Sequence, residues 1–296
     1  MKLSCLHTHS TFCDGTGDIE TMCETAYAKG FSSIGFSSHA PITKKTGIKT
    51  DWIMQDENLE EYIDTVLQAR RRWKGKLAVY LGLETDYIHG YSSPADPDIQ
   101  ALPLDYIIGT VHYCVSPKNG RPINVDEYTE GLARVLKEYD NDGRALCESY
   151  FDSYGMMIAA GGYDILAHLD LIKKNNDRFC FFSPDDSWYT DRLVKTADLI
   201  AGKAGKANIG CKTGGKIPVV EVNNGGMNRG YCTEPYPSLY ILKLLKERNI
   251  PLTISADAHA PDHLGKFYDT AAGKIRQAGY NSLVFLEEQG WREEPL

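Results

Sequence analysis

No segment of the 296-residue chain approaches the roughly 18 consecutive apolar residues that a membrane-spanning helix requires. The opening stretch, MKLSCLHTHS, lacks the apolar core of a secretory signal and reaches a histidine by position 7. Lys and Arg form no track. The longest run, Arg70-Arg71-Arg72, precedes Trp73 in a helix-like stretch, within a chain of formal net charge −8 and pI near 5.5. Without a basic stripe a long nucleic acid is not the expected partner. A small phosphorylated substrate is not excluded, because bound metal ions supply positive charge locally. The eight cysteines, at positions 5, 13, 23, 114, 147, 180, 211 and 232, include no CxxC pair. That removes a zinc ribbon or a thioredoxin-like motif and suits the reduced, mostly buried thiols of a cytoplasmic protein. There is no low-complexity linker and no internal repeat, so residues 1–296 are expected to form a single domain.

What is present is an ordinary globular composition, 42% hydrophobic and 24% charged, in which short apolar runs alternate with amphipathic stretches. Strands are expected at Leu3–Leu6, Ser32–Phe36, Leu77–Leu83, Tyr106–Gly109, Asp164–Ala167, Val219–Val222, Leu252–Ser255 and Ser282–Phe285. Helices are expected at Asp18–Lys29, Leu59–Trp73, Asp126–Glu138, Ala145–Ala160, Asp191–Lys203, Ser238–Arg248 and Thr270–Ala278. Such alternation predicts a parallel sheet with helical crossovers, and the length suits one closed α/β barrel. The polar, Pro-containing stretches Tyr87–Leu104 and Lys173–Asp186 are long enough to cover a site.

Six of the eight histidines share one placement. His7 and His9 end the first strand, and His39, His112, His168 and His259 each follow a later one. In a parallel barrel the carboxyl ends of all strands meet on one face, so these side chains should converge. His7 and His9 are alternate residues of an extended segment and point the same way. His89 and His263 lie apart from this pattern and read as hydrogen-bonded loop or rim residues. Carboxylates fall at the same ends: Glu84 after the third strand, Asp257 two residues before His259, and Asp14 in the first loop, where Asp14-Gly15 also spells a turn. Asp86 is placed to orient a ligand. Imidazoles mixed with carboxylates suit two or three divalent ions of the Mn, Fe or Zn kind. Ions held ~3.5–4 Å apart clamp a phosphoryl oxygen during in-line displacement.

The segments HTHSTFCDG (His7–Gly15), GFSSHAP (Gly35–Pro41), GLETDYI (Gly82–Ile88), GTVHY (Gly109–Tyr113) and DILAHLDLIKK (Asp164–Lys174) occur in that order. EVNNGG (Glu221–Gly226), YPS (Tyr236–Ser238) and SADAHAPDHLG (Ser255–Gly265) follow. Together they resemble the PHP superfamily (polymerase and histidinol phosphatase), and its histidinol-phosphatase branch in particular. The resemblance covers most of the chain and implies a distorted TIM-like (β/α)7 barrel with a three-metal cluster. It implies His7, His9, Glu84 and Asp257 on one ion, Glu84 bridging to a second with His112 and His168, and His39, His259 and Asp14 on the third. Asp14 stands where some members carry a histidine nearby, and Ser38 stands where an Asp more often precedes the equivalent of His39.

The activity this implies is hydrolysis of L-histidinol phosphate, in histidine biosynthesis, by a metal-bridging hydroxide, with Glu84 in the reacting centre and Asp257 or His39 delivering the leaving-group proton. Lys173, Lys174 and Arg229 are the cations placed to hold phosphate, and Tyr113, Asn223 and Asn224 are placed to contact substrate. The rival readings are a phosphoesterase of this superfamily with another small ester or a nucleotide as substrate, and a metal-dependent amidohydrolase. The latter usually carries a metal-bridging lysine that no strand end here supplies. A non-catalytic metal-binding relic would show a defective donor set, and this one looks nearly complete.

Overall fold

The computed structural model describes residues 1–127, 129–203, 212 and 218–296, so Cys211 lies outside the described residues. Seven parallel strands form one sheet: β1 (Ser4–Cys5), β2 (Ser33–Phe36), β3 (Ala78–Asp86), β4 (Tyr106–Thr110), β5 (Ile165–Leu166), β6 (Val219–Asn223) and β7 (Leu252–Ser255), paired in that order. The sheet curls until its last strand meets its first. A parallel bridge joins Thr8 to Ala258, with the His9 N–H donating to the Ala258 carbonyl at 2.9 Å and the Ala258 N–H to the His7 carbonyl at 3.2 Å. The expected seven-stranded barrel is therefore closed at its carboxyl end.

Local chemistry explains the crossovers. The helix Ile19–Ala28 starts at Asp18, whose carboxylate accepts from the Thr21 N–H, and the chain leaves it through Gly30 at φ +77°. Leu59–Trp73 buries Tyr62, Val66 and Ala69, an i, i+4, i+7 stripe, and turns its charges outward. Inside the barrel the Tyr106 ring fills the bore and its hydroxyl donates to the Leu6 and Phe36 carbonyls. Gly35 and Gly82 make room for it: a Cβ on either would come within 2.5 Å of that side chain.

Three expectations change. The eighth run, Ser282–Glu287 in the structure, does not enter the sheet, because ring closure leaves no free edge beside β7. It folds antiparallel onto Gly290–Pro295 and corks the amino end of the barrel. There Leu286 packs with Leu6, Tyr106, Ile108 and Ile165, and Lys2 holds Glu287 and Glu294 at 2.8 and 3.0 Å. Leu286→Ala is therefore expected to cost about 2–5 kcal/mol of stability in urea denaturation. Second, β3 runs on past Leu83 to Asp86, since its outer half pairs with β2 and its inner half with β4. Third, Tyr87–Leu104 does not lie wholly over the site. Its helical turn Pro97–Gln100 descends to the other end, where Gln100 donates to the Gly162 carbonyl at 2.8 Å. The loop after β4 also forms a hairpin, Tyr113–Val115 with Pro122–Asn124, that periodicity did not indicate.

Candidate metal centre

The barrel brings His7, His9, Asp14, His39, Glu84, His112, His168, Asp257 and His259 to its carboxyl end. Glu84 and Asp86 are alternate residues of β3 and share a face. His39 is held beside β3 by a bridge to Glu84, the Ala40 N–H donating to the Glu84 carbonyl at 2.8 Å. Asp14 sits in a tight loop that is also a turn. The Gly15 N–H returns to the Ser10 carbonyl, and a Cβ on Gly15 would meet the Ser10 nitrogen at 2.5 Å. The Thr16 N–H then ties that loop to the His259 carbonyl at 2.7 Å. Asp257 adopts φ +47°, a conformation an Asp tolerates better than most residues, and the Gly225 backbone passes so close that a Cβ there would strike its carboxylate.

Glu84 is the hub. Its Oε2 lies 3.1 Å from His7 Nε2, 3.5 Å from His9 Nε2 and 3.1 Å from His39 Nδ1. Its Oε1 lies 3.1 Å from His168 Nε2 and 3.6 Å from His112 Nε2. Asp257 Oδ1 is 3.2 Å from His9 Nε2 and 3.7 Å from His7 Nε2. Asp14 faces His259 Nε2 at 3.2 Å and His39 Nε2 at 3.7 Å. Ligand atoms gather within 4.8 Å of one another in three sets: His7, His9 and Glu84; His9, Asp14, His39 and His259; and His39, Glu84 and His112. These sets differ from the expected grouping: His9 also joins Asp14, His39 and His259, and His39 turns Nδ1 inward to Glu84 and Nε2 outward to Asp14, while His168 and Asp257 meet the cluster through Glu84 and His9. The residues before His39 are spent on the segment after β1: Ser37 Oγ accepts from the Thr8 N–H and Ser38 Oγ bonds Ser10 Oγ at 3.0 Å.

Neighbouring carboxylates and carbonyls set the tautomers. A carboxylate only accepts, so each imidazole nitrogen facing one outside the cluster carries its proton. His7 Nδ1 donates to Glu221 at 2.9 Å, His112 Nδ1 to Asp86 at 3.2 Å, and His259 Nδ1 to the Asp257 carbonyl at 3.0 Å. Each Nε2 faces another carboxylate oxygen. Two acceptors at such range require a proton or a cation between them. Burial acts against charge on every group here. For His7 the Glu221, Glu84 and Asp257 carboxylates outweigh it and hold the imidazolium well above its usual range. His112 is raised to about 9 despite burial, by Asp86 and Glu84. Burial, with His259 and His39 nearby, pushes His9 down to about 3, which keeps it neutral. Glu84 and Asp257 stay ionised far below the carboxylate range, burial being overcome by His7 and the other imidazoles. Buried atoms without a hydrogen-bond partner include His7 Nε2, His9 Nε2, Asp14 Oδ1, His39 Nδ1, Glu84 Oε2 and Asp257 Oδ1. They face one another, and this donor set fits divalent cations.

Glu221 was not singled out in the sequence, although it lies within EVNNGG. Besides His7, its carboxylate accepts from the His168 N–H at 3.0 Å, Asn223 Nδ2 at 2.7 Å and Ser255 Oγ at 2.6 Å. Within β6 it reads as one polar residue among valines, and nothing local marks it. Trp52 was also missed, an isolated aromatic in the loop after β2. Its ring stands edge to face with His39 at 4.7 Å and with His112 at 5.6 Å.

The expected substrate contacts separate. Lys173 is not aimed at the cluster: it is held by Asp170 and Glu234, each at 3.1 Å. Lys174 bonds Asp126 at 2.7 Å and lies over Tyr231. Asn223 is fully buried, its Nδ2 on Glu221 and Asp257 and its Oδ1 on the Gly225 N–H. Asn224 is equally buried, and Tyr113 is buried behind Trp52. Arg229 does reach the cluster, 3.4 Å from His259 Nε2 and 3.9 Å from Asp257 Oδ2. His263 accepts from the His259 N–H at 3.3 Å, and exposed His89 lies against the Tyr87 hydroxyl, as rim residues would. Among the described residues no helix is long and apolar enough to cross a membrane.

A family model described as PHP domain matches residues 6–208. The "Probable histidinol-phosphatase" of Deinococcus radiodurans is 29% identical over 283 residues, 94% of this chain and 95% of its own. The fold is similar to that of a crystal structure assigned to the histidinol phosphatases from Listeria monocytogenes, with TM-score 0.76 and 20% identity over 90% of this chain and 99% of that one. It is also similar to a Lactococcus lactis histidinol phosphate phosphatase complexed with zinc, L-histidinol and phosphate, with TM-score 0.62 and 18% identity over 98% of this chain and 99% of the other.

Proposed function

The chain belongs to the PHP domain family, and on that premise we propose that it is a phosphoric monoester hydrolase converting L-histidinol phosphate to L-histidinol and phosphate, a step of histidine biosynthesis. The observation that carries this is the Glu84 carboxylate shared among five imidazoles at 3.1–3.6 Å. The histidinol-phosphatase names of its relatives support the substrate. The cluster draws on residues from 7 to 259, so the chain works as one domain. The seven described cysteines are free thiols, which suits a cytoplasmic enzyme.

His7, His9, Glu84 and Asp257 would hold one ion. His112 and His168 would share Glu84 with a second, and His39, His259 and Asp14 would hold a third. Manganese, iron and zinc all suit such donors. The ions supply charge that neutralises the phosphoryl oxygens and makes water acidic enough to attack at neutral pH. Around them, Arg229 takes the outer phosphate oxygens, replacing the cationic role expected of the lysines. Water oxygen bonds to phosphorus as the ester P–O bond breaks, and the departing alkoxide takes a proton. Asp257, an ionised carboxylate, accepts rather than donates. His39, whose side chain is 7% exposed where those of His7 and His9 are at most 1%, lies nearer the mouth and is the donor in the state where the third ion does not occupy its nitrogens.

The test is phosphate release from L-histidinol phosphate by manganese-reconstituted protein, beside a panel of other phosphomonoesters and a His9→Ala control. Fast, selective release that the control loses supports the reading. Slow release from every ester, with metal bound, leaves a phosphoesterase and overturns the named substrate. Asp86 only orients His112, so Asp86→Ala is expected to weaken metal binding by roughly 10–100-fold without abolishing it. Titration of stripped protein with manganese checks this.

A further inference from the structure

We propose that Trp52, backed by Tyr113, is the specificity subsite that receives the planar ring of the leaving group. This deepens, and rests on, the phosphatase reading above. The two sides of the site mouth differ. Arg229 stands on the side of His259 and Asp257. On the side of His39 and His112 the loops after β2, β3 and β4 form an apolar cluster of their own, with Ile42, Ile53, Ile88 and Tyr113 buried and Trp52 packed against them. This cluster is separate from the main core and borders the carboxylate-rich centre.

Trp52 is held in a fixed pose. Its ring lies nearly parallel to that of Tyr113, at 12° and 5.8 Å between centroids, and perpendicular to those of His39 and His112. It is partly exposed while Tyr113 behind it is buried. Its backbone N–H donates to Thr50 Oγ1 at 3.4 Å. A partly exposed indole beside a polar centre suits a flat apolar partner. In L-histidinol phosphate five bonds separate phosphorus from the imidazole ring, a reach of roughly 6 Å. Trp52 lies one imidazole away from the cluster, so an ester whose phosphate meets Arg229 and the cluster lays its ring on this wall. An aliphatic ester would leave the wall wet and gain nothing from it.

The experiment compares kcat/KM for L-histidinol phosphate, 3-phenylpropyl phosphate, whose ring also lies five bonds from phosphorus, and glycerol phosphate in wild type, Trp52→Leu and Trp52→Phe, with metal per chain measured for each. Trp52→Leu should lower kcat/KM roughly tenfold for the two ring-bearing esters, through KM, and leave glycerol phosphate and metal content unchanged. Trp52→Phe should restore most of the loss. An equal loss on all three esters, or metal loss in both variants, overturns the proposal and makes the indole a prop for His39 and His112. If wild type shows no preference for L-histidinol phosphate while Trp52→Leu still slows 3-phenylpropyl phosphate and spares glycerol phosphate, the named substrate fails and the ring subsite stands.

Discussion

Replacing Glu84 with Gln is expected to slow phosphate release at least about a thousandfold, the equivalent of ~4 kcal/mol of transition-state stabilisation. The side chain keeps its size but loses the negative charge that five imidazole nitrogens face. The amide also presents hydrogens where lone pairs are needed, and every ion placed around Glu84 loses a shared oxygen. Steady-state rates, metal per chain and circular dichroism on the same preparation separate the outcomes. A folded variant with depleted metal and negligible turnover is expected. Full metal with a tenth of the wild-type rate would remove Glu84 from the centre of the site.

Glu221→Ala should be the most destabilising single change at this end of the barrel, at about 3–5 kcal/mol. The carboxylate is 1% exposed and satisfies the His7 ring, the His168 backbone, the Asn223 amide and the Ser255 hydroxyl. Truncation strands all four donors in a site that water reaches poorly. Urea denaturation of the metal-free variant measures the loss without a contribution from bound ions. A cost under about 1 kcal/mol would mean that these donors find other partners.

The histidine placements were legible because each strand is short, apolar and followed at once by a polar residue, so a boundary in hydropathy coincides with a boundary in space. The same signal failed at β3. There the ladder continues through Glu84, Thr85 and Asp86, and polarity marks the site rather than the strand end. It failed again at Ser282–Phe285, whose pattern is that of a barrel strand but whose place was taken when β7 met the first strand. Glu221 was hidden because three of its partners, His7, His168 and Ser255, come from separate segments. The lysines misled because Asp170, Glu234 and Asp126, which neutralise them, approach only in three dimensions. Trp52 carries no periodic signal, since it sits in a loop whose neighbours pack around it only after β3 and β4 are in place.

The bridge between Thr8 and Ala258 also sets a schedule. During synthesis His7 and His9 leave the ribosome first, yet Asp257 and His259 arrive roughly 250 residues later, over ten seconds or more at typical elongation rates. Until then the nascent chain offers the first histidines and Glu84 without their closing partners. An ion arriving in that interval would meet an open, incomplete set of donors. The finished donor set exists only once the last parallel strand has docked, so loading with metal becomes a late checkpoint on whether the whole barrel was made.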